Sequence, residues 1–339
     1  MFLFLIRRLA MIPITMWGVV TLVFFLIHAV PGSPVYVLLG PHAGEAEIQK
    51  AIEDFGLDRP LAHQYATYLA RIFTGNLGRS ITTGRPVRTD LAVFLPATLE
   101  LTLVSLLLIA VLGTLLGVLS ALRPNTLIDT VSRGIAIGGV SMPQFWLGLL
   151  LILVFYYYLH WLPGGGRVDP FIRDLPRTTG LLILDSLLAG NWEALKSACF
   201  HMILPALTLA ATNLSTLTRV TRNAMLRSLR EDYITMMRAY GVREKRLAFL
   251  FAFKNALVAI VSVLGLTTGF LLSGSVLVET VFDWPGLGLY ATTAILNVDF
   301  EPVVGVALLI SLIYVVLNLI TDVAYTLVDP RIRYWEARG

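Results

Sequence analysis

The sequence predicts an all-α polytopic membrane protein with six transmembrane helices. Three observations carry that prediction. Of its 339 residues, 56% are hydrophobic and only 14% are charged, and the mean hydropathy is +0.76, which excludes an ordinary soluble domain. Apolar runs long enough to cross a bilayer recur along the whole length. The formal net charge is only +4, but Lys and Arg are concentrated in four regions that share one side if there are six crossings.

The first span is Leu9–Val30, preceded by Arg7 and Arg8. A signal peptide has the same polarity, but its apolar core is about 7–15 residues. This run is roughly 22 residues, enough to span uncleaved. The second span is Thr98–Leu122 and the third Ile135–Tyr158. Gly113 with Gly117, and Gly134 with Gly138, have the spacing of close helix packing. Pro143, in Ser141-Met142-Pro143-Gln144-Phe145-Trp146, is expected to kink or interrupt the third span and is a candidate hinge. The fourth span, Met202–Val220, is the most polar. Thr208, Thr212, Ser215 and Thr216 share one of its faces, which either lines a hydrophilic path or makes interhelical hydrogen bonds. Asn255–Val278 and Val303–Val328 complete the set.

Orientation follows from the basic residues. Arg7 and Arg8, Arg123 and Arg133, a dense group from Arg219 to Lys254, and Arg331, Arg333 and Arg338 all fall on one side. That side, with both termini, is expected to be cytoplasmic. Glu279–Pro302 contains acids but no Lys or Arg and suits the opposite side. The expected divisions are an N-terminal helix (1–30), an outer segment (31–97), a transmembrane core (98–328, with an outer insertion 161–201 and a cytoplasmic loop 221–254) and a tail (329–339).

The outer segments contain Pro31-Gly32-Ser33-Pro34, an amphipathic stretch Ala43–Phe55, and turns at Gly75–Gly78 and Gly164–Gly166. Asp283-Trp284-Pro285-Gly286-Leu287-Gly288 demands a tight turn. The apolar Leu289–Leu296 that follows is too short to cross. Trp284, Pro285, Gly286 and Gly288 are therefore candidate gate residues beside a re-entrant helix.

Catalytic chemistry is hard to find. His28, His42, His63, His160 and His201 lack the H-E-x-x-H spacing of a zinc site, and no G-x-x-x-x-G-K-[ST] loop is present for ATP. There is no G-x-S-x-G elbow. Cys199 is the only cysteine, so neither an intrachain disulfide nor a thiolate cage can form. No nucleic-acid module is visible. Glu100 and Asp322 are the ionisable residues noted within the spans. Glu100 is expected to favour its helix N-terminus, and Asp322 to pair near the interface with a residue such as Arg331. Neither belongs to a relay, which opposes proton coupling and a self-contained ion-coupled carrier. An intramembrane enzyme is opposed by the missing catalytic pair or metal cluster.

Ser228–Gly241 stands out as a charged, amphipathic helix signal in the most basic loop. Ser228 and Glu231 have capping-box spacing. Tyr233, Met236, Met237 and Tyr240 recur at one-face intervals, and Gly241 sits where a left-handed C-terminal cap belongs. Such a helix either docks a soluble partner or lies on lipid.

Taken in order, these motifs resemble the binding-protein-dependent ABC transporter permeases of the dipeptide, oligopeptide and nickel group. The similarity rests on the Arg pair before the first span, Pro31–Pro34, Gly75–Ser80, Pro96–Leu101, Ser141–Trp146, His201–Pro205, Glu279–Gly288 and Asp329–Arg333. The resemblance implies an ABC type I importer permease fold (MetI-like) in the bacterial inner membrane, moving di- or oligopeptides by alternating access, with nickel, glutathione or another small solute as alternatives. It also implies a second homologous permease, two cytoplasmic ABC ATPases and a solute-binding protein. ATP and Mg would then be bound by those ATPases, with no cofactor on this chain. Its ATPase-coupling motif maps to Glu231, Asp232, Tyr233, Met236, Met237, Arg238, Ala239 and Gly241, with Asn255 closing it. Met236-Met237 replaces the usual Thr-Ala pair of that motif, and Tyr240 a common Lys.

Overall fold

The computed structural model describes residues 2–29, 44, 58–172 and 178–328. Pro31–Pro34, residues 43 and 45–55 of the amphipathic stretch, the Asp322 side chain and the tail with Arg331 and Arg333 lie outside the described residues. The described chain is helical. Its one β-type pairing is a single bridge between Arg79 and Pro86.

The helices are α1 (Phe2–Ala29), α2 (Leu61–Phe73), α3 (Val87–Leu108), α4 (Thr114–Leu122), α5 (Leu127–Ser141), α6 (Gln144–Leu151), α7 (Leu182–Leu188), α8 (Trp192–Leu229), α9 (Asp232–Ala239), α10 (Glu244–Arg246), α11 (Phe253–Val281), α12 (Leu287–Leu296) and α13 (Phe300–Val328). Wider π-helical turns at Ile109–Gly113, Ile152–Tyr158 and Leu247–Ala252 join or extend them.

Four of the expected spans, Thr98–Leu122, Met202–Val220, Asn255–Val278 and Val303–Val328, lie wholly on helix. Four stretches, Val87–Leu122, Trp192–Leu229, Glu244–Val281 and Phe300–Thr321, are long and apolar enough to cross a membrane. Leu127–Gly139 and Gln144–Tyr158 form a fifth span only if taken together, with a bend of 107° between them. The break sits where Pro143 put it. Met142 is extended (φ −108°, ψ 134°), because the ring of the next residue excludes it from helical geometry. Residues 9–29 of the expected first span lie in the 28-residue α1, whose fully described apolar part, Pro13–Phe25, is shorter than a crossing. The count of six thus requires both the bent pair and α1. The fourth span is much longer than its hydropathy indicated. With 38 residues, α8 is about 57 Å long at 1.5 Å per residue, well beyond a hydrocarbon core of ~30 Å.

The described residues divide into two compact units, one within 96–288 with 314–328 and one within 2–95 with 289–313. In the larger unit, α8 is the central post. Leu204, Leu209, Leu217 and Met225 are fully buried there among Leu101, Ile109, Leu271 and Phe282. Apolar residues gain little by leaving lipid for protein, so contact here depends on close backbone approach. Gly113 and Gly117 supply it as expected. A Cβ on Gly117 would lie 2.5 Å from the Thr221 Cβ and 2.7 Å from the Thr218 carbonyl oxygen. The other small-residue pair departs from expectation: nothing lies within 4 Å of a Cβ at Gly134 or Gly138, so that face of α5 is open.

Glu100 is another correction. It lies 13 positions into α3, too far along to cap that helix. Its carboxylate is buried and accepts from Arg167 Nη2 at 2.5 Å and from the Ile183 N–H at 2.7 Å. Arg167 also donates to the Gly180 carbonyl and stands over the Trp284 ring, 5.7 Å from its centroid. Glu100 therefore ties the insertion 161–201 to the transmembrane core. Within that insertion, burial opposes the charged form of Asp185. Hydrogen bonds from the Thr179 hydroxyl and the N–H groups of Thr179, Gly180 and Thr178 outweigh it and hold the carboxyl below its ordinary range.

In the smaller unit, Val20 of α1 packs with Val304 and Leu308 of α13, flanked by Tyr68, Leu69 and Ile72 of α2. Arg71 meets Glu301 at 2.7 Å. Buried Asp90 accepts from Thr83 and Tyr290, and buried Asp299 from Ser80.

Candidate functional site

The region between α8 and α11 holds the motif singled out in the sequence, and its geometry revises the local reading. Ser228 is not the first residue of a capping box. It is buried in the last turn of α8, which runs on to Leu229. The cap of α9 is Glu231, three residues later, and no side chain caps it. Its extended backbone (φ −66°, ψ 146°) turns its carbonyl onto the Ile234 and Thr235 N–H groups at 3.0 and 3.2 Å. Capping-box spacing was satisfied by chance because the preceding helix consumed Ser228.

The C-terminal end follows expectation in full. Gly241 has φ +80°. Its N–H bonds the Arg238 carbonyl at 3.0 Å, and the Val242 N–H bonds that of Met237 at 3.1 Å. This pair is the Schellman closure, which a side chain at Gly241 would strain. Beyond it, Arg238 pairs with Glu244 through two hydrogen bonds, 2.6 and 3.2 Å. The pair is exposed and worth little in stability, but it holds α10 against α9.

The predicted apolar stripe splits between two faces. Ile234 is fully buried, with Tyr233 and Met237 half-buried beside it. Asp232, Thr235, Met236, Ala239 and Tyr240 form the opposite, exposed face at i, i+3, i+4, i+7 and i+8, with Met236 59% and Tyr240 78% exposed. The inward face is fixed by one hydroxyl. Tyr233 OH accepts from Asn255 Nδ2 at 2.7 Å and shares a hydrogen bond with Ser228 Oγ at 3.1 Å. The structure thus brings Tyr233 and Asn255 together, 22 positions apart, and ties α9 to both α8 and α11. An open cavity of about 590 Å³ lies beside the start of α9, lined by Asn223, Leu226, Arg227, Arg230, Glu231 and Asp232.

The gate candidates form a second constellation. Trp284 is buried, and its indole N–H donates to the Ala97 carbonyl at 2.9 Å. Glu279, fully buried on α11, accepts from the Thr98 hydroxyl at 2.8 Å and from the Gly288 N–H at 2.6 Å. Thr98 Oγ1 in turn accepts from the Leu287 N–H at 2.7 Å. Two of the free donors at the start of α12 are therefore capped by side chains from other helices. A Cβ on Gly286 would lie 2.5 Å from both Glu279 Oε2 and Thr98 Oγ1, and one on Gly288 2.5 Å from the Val276 Cα. These two glycines are required by the carboxylate and the helix beneath them. Pro285 is half-buried in the same turn.

The polar face of α8 is not uniform. Thr208 and Ser215 are buried, Thr208 donating to its own Leu204 carbonyl at 2.8 Å. Thr212 is half-buried and Thr216 exposed.

Sequence reading missed Glu279 and Asp129 as buried acids, because both lie outside the expected spans, Glu279 directly after the fifth and Asp129 in the connection between the second and third. The available signals were the Gly-rich turn that follows Glu279 and the two arginines, Arg123 and Arg133, on either side of Asp129. Among the described residues, no group of three or more His, Cys, Asp or Glu is placed to hold a metal ion.

Comparison with known proteins now bears on this architecture. Residues 113–334 match the family described as binding-protein-dependent transport system inner membrane component, and residues 1–102 match its N-terminal companion. The chain is 45% identical to the probable D,D-dipeptide transport system permease protein DdpB of Escherichia coli K12, over 93% of each chain. It is 40% identical to the di/tripeptide transport system permease protein DppB of Pseudomonas aeruginosa UCBPP-PA14 over 98% of each. It is 36% identical to the glutathione transport system permease protein GsiC of Pectobacterium atrosepticum, again over 98% of each. These relatives are permease subunits rather than enzymes. The chain belongs to the family of binding-protein-dependent transport system inner membrane components, and is a multi-pass permease subunit of an ABC importer.

Proposed function

We propose that this permease carries di- or oligopeptides across the bacterial inner membrane by alternating access, with both termini in the cytoplasm. The observation that carries the coupling half of this reading is the exposed Met236–Tyr240 face of α9, on a helix whose other face is locked to its own chain. Two cytoplasmic ATPases seat on this face and on its counterpart in a second, homologous permease. ATP and Mg reside in those ATPases, and this chain binds neither. A solute-binding protein delivers peptide from the outer side. The names of the relatives at 45% and 40% identity favour peptide over nickel. ATP acts on the pathway only if the ATPase contacts α9 differently in its two states. The path runs past Thr212 and Thr216 of α8, with Thr208 and Ser215 behind them. Pro143 and the Trp284–Gly288 turn serve as hinge and outer gate.

The test is uptake by proteoliposomes holding this chain, its partner permease and both ATPases, with binding protein outside and ATP inside. Labelled dipeptide accumulates with ATP and stays at background without it, and excess nickel does not compete. ATP-driven accumulation of nickel with no dipeptide uptake would contradict the assignment.

A further inference from the structure

The turn between α4 and α5 carries a buried ion pair that the transport reading has not used. Asp129, in the first turn of α5, is fully buried. Arg222 of α8 grips it from two directions, Nε to Oδ1 and Nη2 to Oδ2, each at 2.9 Å. Every other polar neighbour on the carboxylate is a donor. Ser120 Oγ at the end of α4 donates to Oδ1 and itself accepts from Arg222 Nε at 3.0 Å. The Asn125 N–H donates to Oδ2 at 3.0 Å, and the half-exposed Arg133 stands 3.4 Å from Oδ1. One carboxylate therefore joins α4, the turn, α5 and α8.

Stability alone is a poor reason for such an arrangement. A buried ion pair loses much of its attraction to desolvation, and well-packed apolar residues of similar volume often match or exceed it. A bidentate pair does give direction: its planar fork fixes one relative orientation. Its position is also pointed. One turn away, Gly117 sits on α8 with no clearance, under Thr218 and Thr221. Six residues beyond Arg222, Ser228 holds Tyr233 of the docking helix.

We propose that Asp129 and Arg222 are positioning residues for transport. Their clamp makes the α4–α5 hairpin follow α8, so that displacement of α9 reaches the hairpin instead of dissipating in the loop. The inference rests on the importer reading above. It is tested in the same reconstituted complex by D129L/R222M, which replaces the pair with apolar side chains, and by Arg222→Lys, which keeps charge but loses the fork. Complex yield, thermal stability, ATP hydrolysis and peptide moved per ATP are measured against wild type. D129L/R222M is expected to melt somewhat below wild type, because Ser120 and the Asn125 N–H lose their acceptor, and the complex that assembles is expected to hydrolyse ATP but to move roughly 10-fold less peptide per ATP, within the range of ordinary coupling energies. Arg222→Lys is expected to fall between the two. Wild-type peptide per ATP in D129L/R222M overturns the clamp. So does a ratio that is normal in whatever complex survives a loss of yield, since structural glue predicts that pattern. Absence of ATP-driven uptake by wild type overturns the importer reading, and the clamp with it.

Discussion

M236D/Y240D is expected to abolish ATP-driven uptake while leaving the chain folded in the membrane. Both side chains lie on the exposed face of α9, at 59% and 78% exposure, so their replacement disturbs nothing within the chain. Aromatic and Met anchors are typical of interface centres, and such hot spots are worth about 2 kcal/mol each. Burying two carboxylates in their place adds a desolvation cost. Co-purification of the ATPases with the permease is expected to fall roughly 100-fold or more. Ile234→Asp is the contrasting variant. It puts a charge at a fully buried position and is expected to reduce the amount of folded permease itself. Wild-type ATPase retention by M236D/Y240D would remove the exposed face from the coupling contact.

Gly286→Val is expected to be the most destabilising single change in the outer turn. Its Cβ would meet Glu279 Oε2 and Thr98 Oγ1 at 2.5 Å. Relief requires breaking the hydrogen bonds from Thr98 to Glu279 and from Leu287 and Gly288 into that pair. Overpacking costs about 1–3 kcal/mol, and a buried donor left unpaired about 1–3 kcal/mol more. Gly134→Ala is the control, since nothing lies within 4 Å of a Cβ there and alanine is the better helix former. Thermal unfolding in detergent is expected to separate the two variants by many degrees, Gly286→Val melting lower. Equal melting temperatures would show that the turn can reopen at no cost.

What the sequence disclosed, and what it withheld, divides along physical lines. Long apolar runs, the Pro143 break, the Gly241 cap and the Asp283–Gly288 turn were legible because each is decided locally, by hydropathy or by a backbone that only one residue type satisfies. Ser228 misled because a serine at that spacing suits the last turn of α8 as well as the cap of α9, where its hydroxyl oxygen would accept from a backbone N–H, and spacing does not choose between them. The face of α9 was hidden for a related reason. A helix buried on one side by its own chain that also carries apolar residues on its exposed side, here proposed to meet the ATPase, gives a pattern that periodicity cannot sort. Asn255 with Tyr233, Arg222 with Asp129, and Glu279 with Thr98 are long-range pairs fixed by packing. No spacing rule reaches across 93 or 181 positions.

The central claim is that the outward face of α9, and not its inward face, receives the ATPase. Site-specific cross-linking reads this directly. In a Cys199→Ser background, Met236→Cys, Tyr240→Cys and Ile234→Cys are compared in the assembled complex after attachment of a short thiol-reactive photocrosslinker, which on illumination bonds to whichever chain it touches. Met236→Cys and Tyr240→Cys are predicted to form a covalent adduct with the ATPase subunit whose yield changes when ATP is added, while Ile234→Cys forms none. Adducts at Ile234→Cys with none at Met236→Cys or Tyr240→Cys would contradict the account.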